Sequence, residues 1–170
     1  MLMKFRATAH AYGNYIDTEQ ILPARYCLSR KPEDLVPHLM EGADPEFAKR
    51  MKKGDIIVGG HGFGCGSPRE IAALVIKWAG IRAVLADSFD RFFYRNAVNI
   101  GLPVLEVLAV QYGIKTGELV EVDPDQGLVR NVSKMRGFHC TPIHDFVKTL
   151  ILTGGLEDYA RRRITGGQRI

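Results

Sequence analysis

The sequence predicts an α/β fold in which a partly parallel sheet is flanked by helices, and three of its features carry that expectation. Short apolar runs at residues 55–60, 81–86 and 102–107 alternate with segments of helical period at 69–79 and 89–99. Strands separated by helices of that length pair in parallel through right-handed crossovers. Gly80 and Gly101 stand just past the two helical segments, where a left-handed residue closes a helix. The last third changes character: residues 118–123 and 128–132 flank Pro124-Asp125-Gln126-Gly127 as a hairpin, and a helix follows near 143–153.

Taken in order, residues 3–9 form an opening strand. The polar, turn-rich stretch 13–26 is a loop, and Pro32 starts a short helix over 32–40. Gly54 turns the chain into the strand at 55–60, and a glycine-rich loop leads to the next helix. There Ser67 has the position of an N-cap, Pro68 that of the first helical residue, and Glu70 completes a capping box. Ser88 is placed to cap the helix at 89–99.

The chain has 170 residues, 46% hydrophobic and 25% charged, enough apolar surface for one core, so residues 1–170 are expected to form a single domain. Acidic side chains (19) are interspersed with basic ones (23), and only Arg161-Arg162-Arg163 is dense. That balance suits a mild attraction for anionic metabolites and argues against nucleic acid. Cys27, Cys65 and Cys140 are odd in number with no CxxC pair, so neither a disulfide framework nor a metal site is indicated. No segment approaches the roughly 18 apolar residues of a membrane span. The start lacks the apolar core of a signal peptide, and the cytoplasm is the expected compartment.

The chemistry concentrates in Gly62-Phe-Gly-Cys-Gly-Ser-Pro-Arg-Glu. Its glycines let backbone approach a ligand, and a helix start beyond them favours anions. Three rival readings of this loop fail on its residues. A dinucleotide fingerprint, with Asp87 as the ribose acid, would need glycine where Ser67 stands. Cys65 as a nucleophile with His61 as its base rests on a spacing of four residues, and a small buried thiol is the simpler reading. A phosphate loop of the GxxxxGK type lacks its lysine. The five histidines share no ligand spacing and are assigned to surface or core. Arg91, Arg95, Asn96 and Asn99 are neighbours on one helix and are given structural roles.

Gly64-Cys-Gly-Ser-Pro-Arg-Glu resembles the GCGSSRE motif of the small subunits of isopropylmalate dehydratase and homoaconitase, which correspond to the swivelling C-terminal domain of aconitase. The segment 13–26 is similar to the family's GDNIDTDQIIPARY, and 87–103 is similar to its ESFARIFYRNAINIGLP. These segments occur in family order and span most of the chain to about Glu106.

The resemblance implies a swivelling β/β/α domain that works as the small subunit of a hydro-lyase. Such an enzyme interconverts 2-isopropylmalate and 3-isopropylmalate by dehydration and rehydration in leucine biosynthesis. It also implies a large-subunit partner that holds a four-iron, four-sulfur cluster, with no cofactor in this chain. By resemblance Ser67 is the general base and Arg69 grips a substrate carboxylate. Thr18 and Glu19 belong to a second loop at the site and are counted with the substrate-binding residues, Glu19 standing where the family has aspartate and serving as a partner that orients a catalytic group. Leu28 and Arg30 lie in the loop that sets substrate choice, where the family has YLRT-like or YLVY-like sequences. The physics agrees: a serine needs a neighbouring cation to act as a base, and a guanidinium fork suits a carboxylate. The chain departs from the family at Pro68 (serine), Ile71 (histidine) and Tyr15 (asparagine). Two alternatives stand beside this expectation, homoaconitase or another malate-type hydro-lyase, and a non-catalytic carboxylate-binding paralogue.

Overall fold

The computed structural model describes residues 4–165. In chain order the strands are β1 (Phe5–Ala11), β2 (Ile56–Gly59), β3 (Ala83–Ala86), β4 (Val104–Glu106), β5 (Leu119–Asp123), β6 (Leu128–Asn131) and β7 (Arg136–His139). The helices are α1 (Thr18–Ile21), α2 (Pro32–Leu35), α3 (Phe47–Arg50), α4 (Ile71–Trp78), α5 (Arg91–Ile100), α6 (Val110–Gly113), α7 (Asp145–Thr153) and α8 (Leu156–Thr165).

One seven-stranded sheet has the order β4-β3-β2-β1-β5-β6-β7. Its two halves differ as their sequences do. In β2 and β3 every residue is buried, the continuous apolar pattern of parallel strands covered on both faces. In β5 and β6 buried and more accessible residues alternate, as in antiparallel strands with one wet face. Strand β1 joins the halves, running parallel to β2 (His10 opposite Ile57) and antiparallel to β5 (Arg6 opposite Glu121).

Two cores follow from the period of two along a strand. Ile57, Val84 and Ala86 face α4, α5 and the segment 21–51. Ile56, Val58, Ala83 and Leu85 face the other way, onto Val110, Ile114, Val120 and Phe138.

Several expected boundaries move for local reasons. The helix at 32–40 stops at Leu35 and a 3₁₀ turn, Val36–His38, follows, because Pro37 has no N–H to continue the ladder. The helix near 89–99 starts at Arg91 and is capped by Asp90, which accepts the Phe92 and Phe93 N–H groups at 2.8 and 3.4 Å. Ser88 is not the cap; its hydroxyl accepts the Gly62 N–H instead. Gly101 closes α5 at φ +76°, as expected. The sequence reading lacked β7 and α8. The arginine run falls on α8, where Arg161 meets Glu157 and Arg163 meets Tyr159, a solvated helix face.

Candidate active site

Past the ends of β1 and β2 the two chains keep running side by side. Gly60 N–H donates to Gly13 O at 2.9 Å, Tyr15 N–H to His61 O at 2.7 Å, Gly64 N–H to Ile16 O at 2.7 Å and Thr18 N–H to Cys65 O at 2.8 Å. The series ends where the Thr18 hydroxyl accepts the Ser67 N–H at 3.0 Å. Residues 49 apart in sequence are thereby laid together beyond the C-terminal ends of parallel strands, the end at which open α/β sheets bind ligands. Glycine is required along this path. Gly64 has φ +81°, and a Cβ there would lie 2.2 Å from Phe93 Cγ. Gly66, at φ +96°, passes over Thr18 Oγ1.

Ser67 does not cap a helix. Helix α4 begins at Ile71 with Glu70 as its N-cap and no side-chain cap bond, so the capping box with Ser67 is absent. The reason is lateral: Ser67 N–H is held by Thr18, and Pro68 O accepts from Asn96 Nδ2 at 3.2 Å, so this backbone is pinned to its neighbours instead of winding. The half-buried Ser67 side chain makes no hydrogen bond among the described residues. The helix start lies further from it than the sequence suggested, and helix-end electrostatics fade within a turn. Arg69 is left as the nearer source of positive charge in the sequence.

The Arg69 guanidinium is held on both arms. Nη2 donates to Glu19 Oε2 at 3.2 Å and Nη1 to Cys27 Sγ at 3.5 Å. Glu19 also accepts the Ala24 N–H on both oxygens, at 2.9 and 3.0 Å. That backbone donor is the largest influence; burial opposes it, and with the Arg69 hydrogen bond added the Glu19 carboxyl is held below the usual range. The structure thus brings together Ser67, Thr18, Arg69 and Glu19. Leu28 and Arg30 are not brought into contact with them: Leu28 is 95% exposed, Arg30 is exposed without an ion pair among the described residues, and only the adjacent Cys27 touches Arg69.

The sequence reading missed two features. Asp17 and Gln20 form the capping box of α1, with Asp17 Oδ1 accepting Gln20 N–H at 2.7 Å; the Asp-x-x-Gln spacing was the available signal. Cys27 as a partner of Arg69 had no local signal. The rejected rivals stay rejected. His61 Nε2 lies 3.6 Å from Asp87, the Cys65 thiol is pushed up first by burial and then by Asp17, and the buried Asp87 carboxylate accepts the Val110 N–H, where no ribose can reach it. Tyr15 sits at φ +56°, a left-handed position that asparagine tolerates better than an aromatic residue.

An iron–sulfur cluster does not fit the described residues. No three His, Cys, Asp or Glu side chains among them converge as ligands. Burial raises the Cys140 thiol to about 11, away from the thiolate that a cluster needs.

Comparison with known proteins gives the family and the fold. Residues 29–109 match the Aconitase C-terminal domain family. The 3-isopropylmalate dehydratase small subunit of Caldanaerobacter subterraneus subsp. tengcongensis is 48% identical, over 90% of this chain and 95% of that one. The chain belongs to the family of 3-isopropylmalate dehydratase small subunits. Another member, the isopropylmalate/citramalate isomerase small subunit of Methanocaldococcus jannaschii, is 43% identical over 92% of this chain and 94% of its own. A crystal structure titled 3-isopropylmalate dehydratase from the same organism superposes with a TM-score of 0.88, at 40% identity, covering 95% of this chain and 96% of that one. The expected aconitase-type fold is therefore present. No helix among the described residues is long and apolar enough to cross a membrane.

Proposed function

We propose that the chain works as one swivelling domain in the cytoplasm, as the small subunit of a hydro-lyase that interconverts 2-isopropylmalate and 3-isopropylmalate. The observation that carries this reading is the meeting of the loops at 17–20 and 62–70, which puts an unengaged serine hydroxyl on the same loop as an arginine held in place on both arms. The reaction takes a proton from a carbon beside a carboxylate and hydroxide from the neighbouring carbon, then returns water to the double bond with the opposite placement.

Ser67 Oγ accepts the proton. The Arg69 cation lowers the cost of the alkoxide that serves as base, and its remaining N–H groups meet a substrate carboxylate. Thr18 fixes the backbone of Ser67, and Glu19 fixes Arg69. A four-iron, four-sulfur cluster held by a large-subunit partner would supply Lewis acidity at the substrate hydroxyl. Leu28 covers the branched alkyl group of the substrate, worth roughly 0.8 kcal/mol per buried methylene, and Arg30 reaches a carboxylate when the partner closes over this exposed loop.

The test is Ser67→Ala in the complex reconstituted with its large subunit under anaerobic conditions. Turnover should fall by about 10²–10⁴-fold, the share of a general base. The melting temperature should be unchanged, because the Ser67 hydroxyl makes no hydrogen bond within the described residues. Near-normal turnover would remove Ser67 from the mechanism.

A further inference from the structure

Beneath the loop that carries Leu28 and Arg30 lies a polar hub that the proposed mechanism does not use. Its centre is Glu41, on the turn that follows the 3₁₀ segment Val36–His38. One carboxylate collects three side chains: Arg25 through Nη2, the Tyr26 hydroxyl at 3.0 and 3.2 Å to its two oxygens, and His38 Nδ1 at 2.6 Å. The Tyr26 ring also stacks on the His38 ring, with centroids 3.6 Å apart and planes within 10°, and Arg25 lies over the other partner of that stack, Tyr26, at 4.8 Å. The Glu41 carboxyl is held below the usual range, first by the His38 hydrogen bond and then by Tyr26 and Arg25.

The next residue after this clamped tyrosine is Cys27, whose sulfur receives a hydrogen bond from Arg69 Nη1. Beyond it the chain leaves the body of the protein: Leu28 is 95% exposed. The Leu28 side chain at the tip is therefore free, while the base of the loop is the part that touches Arg69. Glu41 makes no side-chain bond with Arg69 among the described residues, and one route to the arginine runs through Tyr26 and Cys27.

We infer that Glu41 is a positioning residue, which clamps Tyr26 so that Cys27 meets the Arg69 guanidinium and the substrate-choice loop is held in register with the carboxylate grip. The reasoning is geometric. Three donors on one carboxylate fix the Tyr26 ring in both position and tilt, and a side chain locked by such neighbours holds a site to within a fraction of an ångström. Without the carboxylate, the Tyr26 hydroxyl loses its acceptor while the ring keeps its contacts with His38 and Arg25, and the stop for the arm of Arg69 that points at Cys27 is loosened. The consequence for turnover rests on the function proposed above; the consequence for Cys27 does not.

Two measurements on Glu41→Gln therefore separate the hub from the function. In the full chain alone, alkylation of Cys27 by iodoacetamide, followed by peptide mass spectrometry, should become several-fold faster. The partly buried thiol of Cys140, packed against the other core, is the internal control and should keep its rate. In the reconstituted complex, KM for isopropylmalate should rise about tenfold and kcat should fall by less than that, because the grip on the ground-state carboxylate needs the guanidinium fork in place whereas the Ser67 alkoxide needs only the nearby charge. Tyr26→Phe, which keeps the stack and loses the hydroxyl, should reproduce both effects in weaker form, and it decides the matter if Glu41→Gln does not fold. An unchanged Cys27 rate in a folded variant overturns the inference. Faster Cys27 labelling together with an inactive wild-type complex would uphold the hub and sink the functional reading instead.

Discussion

Replacing Thr18 by valine tests the junction on which the site depends. The side chain keeps its shape and loses its oxygen, so the Ser67 N–H, now 3.0 Å from Thr18 Oγ1, is left without its acceptor. Thr18 is buried, at 4% exposure, but Ser67 is only half-buried, and water can partly replace the lost partner. The stability cost should then lie near the low end for an unmade hydrogen bond, about 1 kcal/mol. The catalytic cost should be larger, because displacing a reacting group by about 1 Å can lower the rate about 10²-fold. The assay pairs urea unfolding of the full chain with steady-state kinetics of the reconstituted complex. A fall in kcat of ten- to a hundredfold at nearly constant KM is expected, with Thr18→Ser restoring most of it. A raised KM with kcat intact would show instead that Thr18 contacts the substrate directly. Loss of stability with no kinetic change would refute the positioning argument.

Gly64→Ala should prevent folding or lower the melting temperature steeply, since the added methyl meets Phe93 at 2.2 Å in a backbone at φ +81°; circular dichroism and thermal melts check it. Asp44 is held below its ordinary range, first by its hydrogen bond to Arg50, so its contribution is complete above the unfolded value near 3.8 and is lost as pH falls through the lower folded value. Asp44→Asn should therefore show a constant stability deficit from pH 7 to 5 that shrinks below about pH 4, measured by denaturant unfolding across that range. For substrate choice, Leu28→Ala should lower kcat/KM for isopropylmalate and Arg30→Ala should lower it for every hydroxy acid tested. A clear wild-type preference for homoaconitate would show that Arg30, not Leu28, governs the pocket.

Much of this protein is legible before any coordinates. The continuous apolar runs of β2 and β3 and the alternation in β5 and β6 state which strands are covered on both faces, because side-chain period and burial are local consequences of the sequence. The family motifs name Ser67 and Arg69 for the same reason: a loop with glycines at positive φ must write them into the chain. Other features depend on partners far away. Ser67 looked like a helix cap because its neighbours Pro68 and Glu70 fit that pattern, and it is not one because Thr18 and Asn96 pull its loop aside. The resemblance placed Glu19 at the site, but only the fold shows that it holds Arg69, 50 positions on, and Cys27 and Glu41 carried no signal at all. Local propensity and period decided the elements, whereas the choice among competing hydrogen-bond partners was made by which segments the sheet brings side by side.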